Sequence, residues 1–341
     1  MTRLAVTRRF RGYTLIEVII ALGIGVGILA ALAMMFSSNS GNQQELERSL
    51  RQMENARFAM DTLSEDAVHA GFFGDFNPNL VAPAPTYTSP DPCAVATNLQ
   101  GWTVAAGVVT QLPRPIEGIA AGTAVACLPN RRANTEALVV RRAETTGAIL
   151  VASARTDNLY LQTARCSTEA GQVRAAASPG ANPQGTFNLQ DVGCTGGFNN
   201  AVRRLLQRTY YIATCNDCVN NDNIPTLKRV EMIDGARRTT SIAEGVENLQ
   251  LEFGVDGNND SIPDNVLTTG AMTAADWPNV VSVRMHVLTR ATQPTPGFVE
   301  TRTFQLGPNV SLAPASFNND GFKRTLLSTT MRLNNVGSRR E

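Results

Sequence analysis

The sequence predicts an α+β protein: a long N-terminal helix, membrane-spanning in its first half and amphipathic in its second, packed on a mainly antiparallel β-sheet domain with long loops. Three observations predict it. Residues 13–36 form an unbroken apolar run with a single charge. Apolar residues then recur at steps of three and four as far as about Ala70. Beyond them, short alternating runs follow one another without helical stretches between, the order expected of an antiparallel sheet. At 341 residues the chain can bury a full-sized core, and 43% hydrophobic with 17% charged residues is an ordinary globular balance. The domain boundaries read as 1–12, 13–36, 37–71 and 72–341.

Residues 1–12, MTRLAVTRRFRG, carry four arginines and no acid, the composition of a short basic leader. The next 24 residues, Tyr13 to Phe36, would form a helix roughly 36 Å long, enough to cross a bilayer. Basic residues before the run and few after it place the leader in the cytoplasm and the bulk of the chain outside. An ordinary secretory signal fits badly, because its cut would follow the apolar run, and this run passes directly into an amphipathic helix. A plain membrane anchor fits the length but leaves Glu17 unexplained. A carboxylate in hydrocarbon costs several kcal/mol unless it is paired or near the interface. Gly23, Gly25 and Gly27 spell GxGxG, but no strand precedes them and no acid follows at the required distance, so a nucleotide loop is excluded. Small residues here suit close helix packing and also weaken the helix.

From Ser37 to about Ala70 the helix continues, with Leu46, Leu50, Met53, Ala56, Met60, Leu63 and Ala67 on one face. Gly71, Gly74 and Pro78 end it. Residues 72–135, rich in Pro, Gly, Ala and Asn, read as loops and short elements pinned by Cys93 and Cys127. Strands are expected at Ala137–Arg141, Ile149–Ala152, Asn158–Gln162, Leu205–Thr214, Leu227–Ile233, Asn248–Val255, Val280–Arg290, Val299–Leu306 and Lys323–Leu333. The Gly/Asn/Ser-rich stretch 167–200 reads as a loop between strands.

Six cysteines, Cys93, Cys127, Cys166, Cys194, Cys215 and Cys218, accompany only two histidines, His69 and His286. A Cys/His zinc site is poorly supplied, and an even cysteine count in an exported chain reads as disulfides. Cys215-Asn216-Asp217-Cys218 is a CxxC motif open to a redox role, a metal or a local bridge; no βαβ context surrounds it, and a structural bridge is the preferred reading. Asp256, Asn258, Asp260 and Asp264 place oxygens at offsets 0, 2, 4 and 8, a spacing that could serve Ca²⁺. Leu267 stands where an EF-hand needs Glu, and the alternative is a solvated Asn/Asp/Gly hairpin loop. No other cofactor is indicated. Removing residues 1–12 would leave 26 basic and 29 acidic residues, a net −3, which argues against a nucleic-acid partner. No Ser/His/Asp or paired-acid constellation stands out, so no enzyme is expected.

Gly12-Tyr13-Thr14-Leu15-Ile16-Glu17 resembles the class III signal of type IV prepilins and type II secretion pseudopilins. That signal has Gly before the cut, an aromatic after it and Glu as the fifth mature residue. Tyr13 replaces the usual Phe, and Met34 stands where many major pilins have a kinking Pro. The resemblance implies cleavage and N-methylation by a prepilin peptidase at Gly12 and Tyr13. It also implies a single-pass inner-membrane stage with a cytoplasmic N-terminus, then an extracellular pilus. Glu17 would meet the Tyr13 amine of the next subunit, neutralising two charges that neither lipid nor helix core could solvate.

Further along, Ala70-Gly71-Phe72-Phe73-Gly74 resembles the AGyfG stretch of PilW-type minor pilins. Gly245-Val246-Glu247-Asn248-Leu249 running into Phe253-Gly254-Val255-Asp256, the Trp277–Val283 stretch, and Thr330-Met331-Arg332-Leu333-Asn334-Asn335 resemble three more of their elements. The resemblance implies a minor pilin that helps initiate or cap a type IV pilus. Its partners would be other minor pilins, the major pilin, an inner-membrane assembly platform and a tip adhesin. The alternatives are a J-type pseudopilin of type II secretion, usually much shorter, and a membrane-anchored periplasmic binding or adhesion protein.

Overall fold

The computed structural model describes residues 12–74, 90–93, 101, 103–105, 108–155, 157–169, 173–177, 183–196 and 199–337. All of the expected leader except Gly12 lies outside them. The chain divides into two units, residues 1–50 and 51–341. The helix α1 (Leu15–Val68) starts in the first and ends in the second. It is long and apolar enough near its start to cross a membrane. In the first unit Leu22, Ile24, Leu29 and Leu32 are all more than half exposed, so this stretch finds no apolar cover of its own.

In the second unit β1 (Thr103–Ala105) pairs with β2 (Val108–Gln111). A larger sheet contains β3 (Ile116–Ile119), β4 (Ala137–Ala143), β5 (Leu159–Thr163), β6 (Val173–Ala177), β7 (Val202–Ala213), β8 (Thr226–Ile233) and β9 (Ala236–Glu244). Its order is β3-β4-β7-β5-β6, with β8 added to β7 and β9 to β8. A smaller sheet follows, made of β10 (Val246–Val255), β11 (Asn265–Thr268), β12 (Val280–Arg290) and, after the short pair β13 (Phe304–Gln305) and β14 (Ser311–Leu312), β15 (Arg324–Arg332). Its order is β11-β10-β12-β15, and among the described residues every strand pairing is antiparallel.

Both sheets and the end of α1 share one core. Ala59, Met60, Leu63 and Ala67 pack with Leu138, Val140, Tyr210 and Ile212 of the larger sheet and Leu249, Leu251, Val283 and Met285 of the smaller. The alternation of β10 and β12 explains the last four: their odd-numbered positions face the helix. The helical periodicity runs further than this core does. Leu46 and Leu50 are about 60% exposed and Met53 is 38% exposed, whereas Ala56, Met60, Leu63 and Ala67 are buried as the spacing predicts.

Three expectations need correction. Ile149–Ala152 is not a strand: Ile149 makes one bridge to Val202, and Val151–Ser153 curl into a 3₁₀ turn with Leu150 72% exposed. In Val299–Leu306 only Phe304 and Gln305 pair, because the Glu300 carboxylate accepts from the Arg302 backbone and guanidinium instead of leaving an extended ladder. The stretch 167–200 holds β6 and a helical turn at Pro183–Thr186 rather than loop alone. β9 went unforeseen because ARRTTSIAE has no apolar alternation, as suits an exposed edge strand.

Disulfides join Cys93 to Cys127, Cys166 to Cys194 and Cys215 to Cys218, across separations of 34, 28 and 3 residues. By chain entropy the two long loops stabilise by about 4 kcal/mol each and the short one by about 2 kcal/mol.

Asp66 fastens the helix to the larger sheet. Its Oδ1 accepts from Arg142 Nε at 3.1 Å, Arg142 Nη2 at 2.9 Å and Arg208 Nη1 at 2.8 Å, and its Oδ2 accepts from the Tyr210 hydroxyl. Arg208 also donates to Glu231 on β8 at 2.9 Å. Burial pushes the Asp66 carboxyl up, but Arg208, Tyr210 and Arg142 together hold it below the usual range. The unfolded chain therefore binds this proton at higher pH than the native one. The contribution is complete above about pH 4 and is lost as pH falls through the native value. Asp66→Asn should lower stability by roughly 3 kcal/mol, or about 6–12 °C in Tm, by removing the counter-charge of buried Arg142 and one of the two carboxylates that half-buried Arg208 holds. Its deficit at neutral pH should shrink as the pH falls below about 4, and calorimetry across pH 2.5–7 checks both expectations.

Candidate functional site

The N-terminal segment begins with Gly12, Tyr13 and Thr14 outside the helix and Tyr13 88% exposed. Thr14 is the N-cap. Its carbonyl accepts from Val18 N at 3.2 Å, and its hydroxyl accepts from Glu17 N at 3.3 Å. The Glu17 carboxylate reaches back, with Oε2 accepting from Thr14 N and from the Thr14 hydroxyl, each at 2.9 Å. This is a reciprocal capping box, and it satisfies amide donors that a helix start otherwise leaves exposed. The T-x-x-E spacing that signals it is present in the sequence at Thr14 and Glu17. A Cβ placed on Gly23, Gly25 or Gly27 would meet nothing within 4 Å among the described residues.

The far end of α1 is held by residues distributed over the chain. Gly71, at φ +74°, donates its amide to Arg141 O at 3.0 Å. Asn335 Nδ2 donates to the carbonyls of Val68 and Ala70 at 3.4 Å, two acceptors that a helix C-terminus leaves open. Gly245, at φ +77°, joins β9 to β10, and a Cβ there would lie 2.5 Å from Arg290 O. Glu247 accepts from Arg324 at 2.7 Å and Arg132 at 3.0 Å, and Trp277 stands edge-on to Phe253 with ring centres 4.9 Å apart. Several residues singled out in the sequence elements from Gly71 to Asn335 thus position helix and sheets.

The 256–264 loop closes on itself. Asp256 is fully buried and accepts from Asn259 N at 2.7 Å and Ser261 N at 3.0 Å. Asp260 Oδ1 accepts from Ile262 N at 2.8 Å, and Asp264 Oδ2 from Gly257 N at 2.7 Å. Asn258 Nδ2 donates to Asp260 Oδ2 and Asp264 Oδ1. The four side chains are thus occupied as turn-forming acceptors and an amide bridge, the hairpin alternative. Among the described residues no group of three or more His, Cys, Asp or Glu side chains converges as a metal site.

His69 Nδ1 lies 2.7 Å from Glu65 O. His286 sits in a cross-strand row that the sequence did not reveal, because its members come from three strands. Its Nδ1 lies 2.8 Å from Ser328 Oγ and its Nε2 lies 3.2 Å from Glu252 Oε2. Arg284 Nη1 also donates to Glu252, at 3.4 Å. The row ties β10, β12 and β15 together on the sheet face opposite the helix.

Residues 209–335 match the family described as Type IV Pilus-assembly protein W. The matched stretch runs from within β7 through β15 and includes Gly245, Glu247, Trp277 and Asn335. No curated protein matches the chain in sequence. Among solved structures, a type IV-like pilin from Thermus thermophilus is similar at 9% identity and a TM-score of 0.33, over 84% of this chain and 97% of that one.

Asp256→Ala should cost about 1–3 kcal/mol, since the amides of buried Ser261 and exposed Asn259 lose their acceptor. Melting temperatures in excess Ca²⁺ and in chelator should coincide for the native protein, and differential scanning calorimetry reads both.

Proposed function

We propose that this chain is a type IV pilus-associated pilin and, more finely, a minor pilin that helps initiate assembly and sits at or near the filament tip. The observation that carries the reading is the match of residues 209–335 to the pilus-assembly family, in a chain whose other end is an apolar helix with an acid in its first turn. Before assembly, the first half of α1 spans the inner membrane with its N-terminus in the cytoplasm. A prepilin peptidase cuts after Gly12 and methylates the new amine at Tyr13. The cut leaves the Thr14 amide and hydroxyl intact, so the capping box persists in the mature chain.

Assembly then uses the exposed apolar flank of α1. A bundle of such helices replaces lipid with neighbouring helices, and Gly23, Gly25 and Gly27 offer no side chain to hold the backbones apart. Glu17 meets the Tyr13 amine of the next subunit. Its carboxylate, costly in hydrocarbon, gains a counter-charge there, and the stagger between helices is fixed to one register. Other minor pilins, the major pilin, a tip adhesin and the assembly platform are the partners this role requires.

Two substitutions separate the local role of Glu17 from the intersubunit one. Glu17→Ala removes both, whereas Glu17→Gln keeps the capping box and removes only the charge. Both should be cut and inserted normally. Both should reduce recovery of the protein in sheared filaments by roughly ten-fold or more, the effect of losing a contact of about 1.4 kcal/mol. Full recovery with Glu17→Gln would show that the cap, not the charge pair, is what assembly needs.

A further inference from the structure

The Cys215–Cys218 bridge differs from the other two in closing only three residues of chain, and like Cys166–Cys194 it joins a buried cysteine to a half-buried one. Cys215 is 2% exposed, Cys218 is half-buried, and the next residue, Val219, is 95% exposed. Cys218 is thus the more accessible residue of the bridge, at the end of β7. Lys228 on β8 is 9% exposed, and its Nζ lies 3.4 Å from Cys218 Sγ and 2.9 Å from Asn216 O. Burial lowers the pKa of this ammonium against the pull of Asp222 and Asp217. A desolvated cation gains little from a neutral disulfide sulfur and much from a thiolate at the same place.

The loop does not depend on the bridge for its shape. Asp222 accepts from the amides of Asn216 at 3.0 Å, Asp217 at 2.9 Å and Ile224 at 3.1 Å. Asp217 accepts from the amides of Val219 at 3.1 Å and Asn220 at 3.3 Å. Asn216 Nδ2 donates to Glu244 at 2.6 Å, which ties the loop to β9. Opening the bridge leaves these bonds in place, so the two sulfurs stay close enough to re-form it. The charged groups around Cys218 are Lys228 on its favourable side and Asp217 and Asp222 on the other, with Glu244 engaged by Asn216.

We propose that Cys215 and Cys218 form a redox-active pair that undergoes reversible exchange with an external dithiol, with Cys218 meeting the partner and Lys228 holding it as a thiolate. One thiolate of the dithiol attacks Cys218 Sγ, a mixed disulfide forms, and Cys215 leaves as a thiolate that takes up a proton. The second thiolate of the dithiol attacks its own sulfur in that mixed disulfide and releases Cys218 beside Lys228. Two electrons pass from the dithiol to the protein, the dithiol ends as a disulfide, and its second proton goes to solvent. In the reverse direction the Cys218 thiolate attacks the partner's disulfide and Cys215 resolves the intermediate.

The test uses the full chain in detergent. The protein is equilibrated with graded dithiothreitol under native conditions, quenched in acid, and its free thiols are mapped by alkylation and peptide mass spectrometry. Cys215 and Cys218 should open at a dithiothreitol concentration at least roughly ten-fold lower than Cys93, Cys127, Cys166 and Cys194, and should close again on dilution into the oxidised reagent. Opening only together with the other bridges, or only in denaturant, would overturn the proposal. A second measurement isolates Lys228. In Cys215→Ser, the pH midpoint for iodoacetamide alkylation of Cys218 should lie below that of an ordinary thiol. Lys228→Met should raise that midpoint and Lys228→Arg should restore it, a signature that a merely structural lysine does not give. An unchanged midpoint in Lys228→Met would remove Lys228 from the site and overturn the assignment.

Discussion

A buried carboxylate on a mostly small-residue helix face sets how the second unit is put together. Ala56, Ala59 and Ala67 line part of the buried end of α1, and such short side chains interlock weakly with a sheet. Sliding the helix by one turn would move Met60 and Leu63 out of their places in the core. It would not leave Asp66 beside Arg142, Arg208 and Tyr210. A buried acid without its partners costs far more than a displaced methyl group, so the charge reinforces the one register that packing favours. Because Arg208 continues to Glu231, that choice is passed from helix to β4, β7 and β8 in a single hydrogen-bonded chain.

The same economy appears around the rest of the core. Arg324, 1% exposed, is gripped by Glu247 and Asp320 and lies over the Phe317 ring at 3.9 Å. Arg141 bonds to Glu117, Gln207 and the Arg114 carbonyl. Each of these buried arginines joins elements distant in sequence, for example β10 to β15 through Glu247 and Arg324. The disulfides act on the unfolded chain instead, and the two long ones close the loop-rich stretches around 93–127 and 166–194.

The sequence disclosed those features whose physics is periodic. The helix and the strands at Thr226–Ile233, Val246–Val255 and Val280–Arg290 repeat a pattern over many residues, and composition alone locates them. It misled where apolar residues lack a partner strand, as at Ile149 and Leu150, and where a strand lies at an edge, as with β9. Asp66 was invisible, because one acid between apolar residues reads as a solvated position until the arginines opposite it are known. At the N-terminus Glu17 announced itself as a lone charge in an apolar run. Thr14, three residues earlier, carried the local half of its chemistry unnoticed. In the 256–264 loop, oxygen spacing suggested a cation, whereas backbone amides, which no spacing rule records, are what the oxygens meet.

The two ends of α1 differ: the buried end is locked to the sheets by charge, and the apolar start is exposed. Whether that start is processed as a pilin is the claim on which the functional reading rests. The most direct measurement is the intact and N-terminal peptide mass of the protein isolated from cells with an active prepilin peptidase. The account predicts a chain beginning at Tyr13 with a methylated amine. A chain retaining Met1 through Gly12 would contradict it.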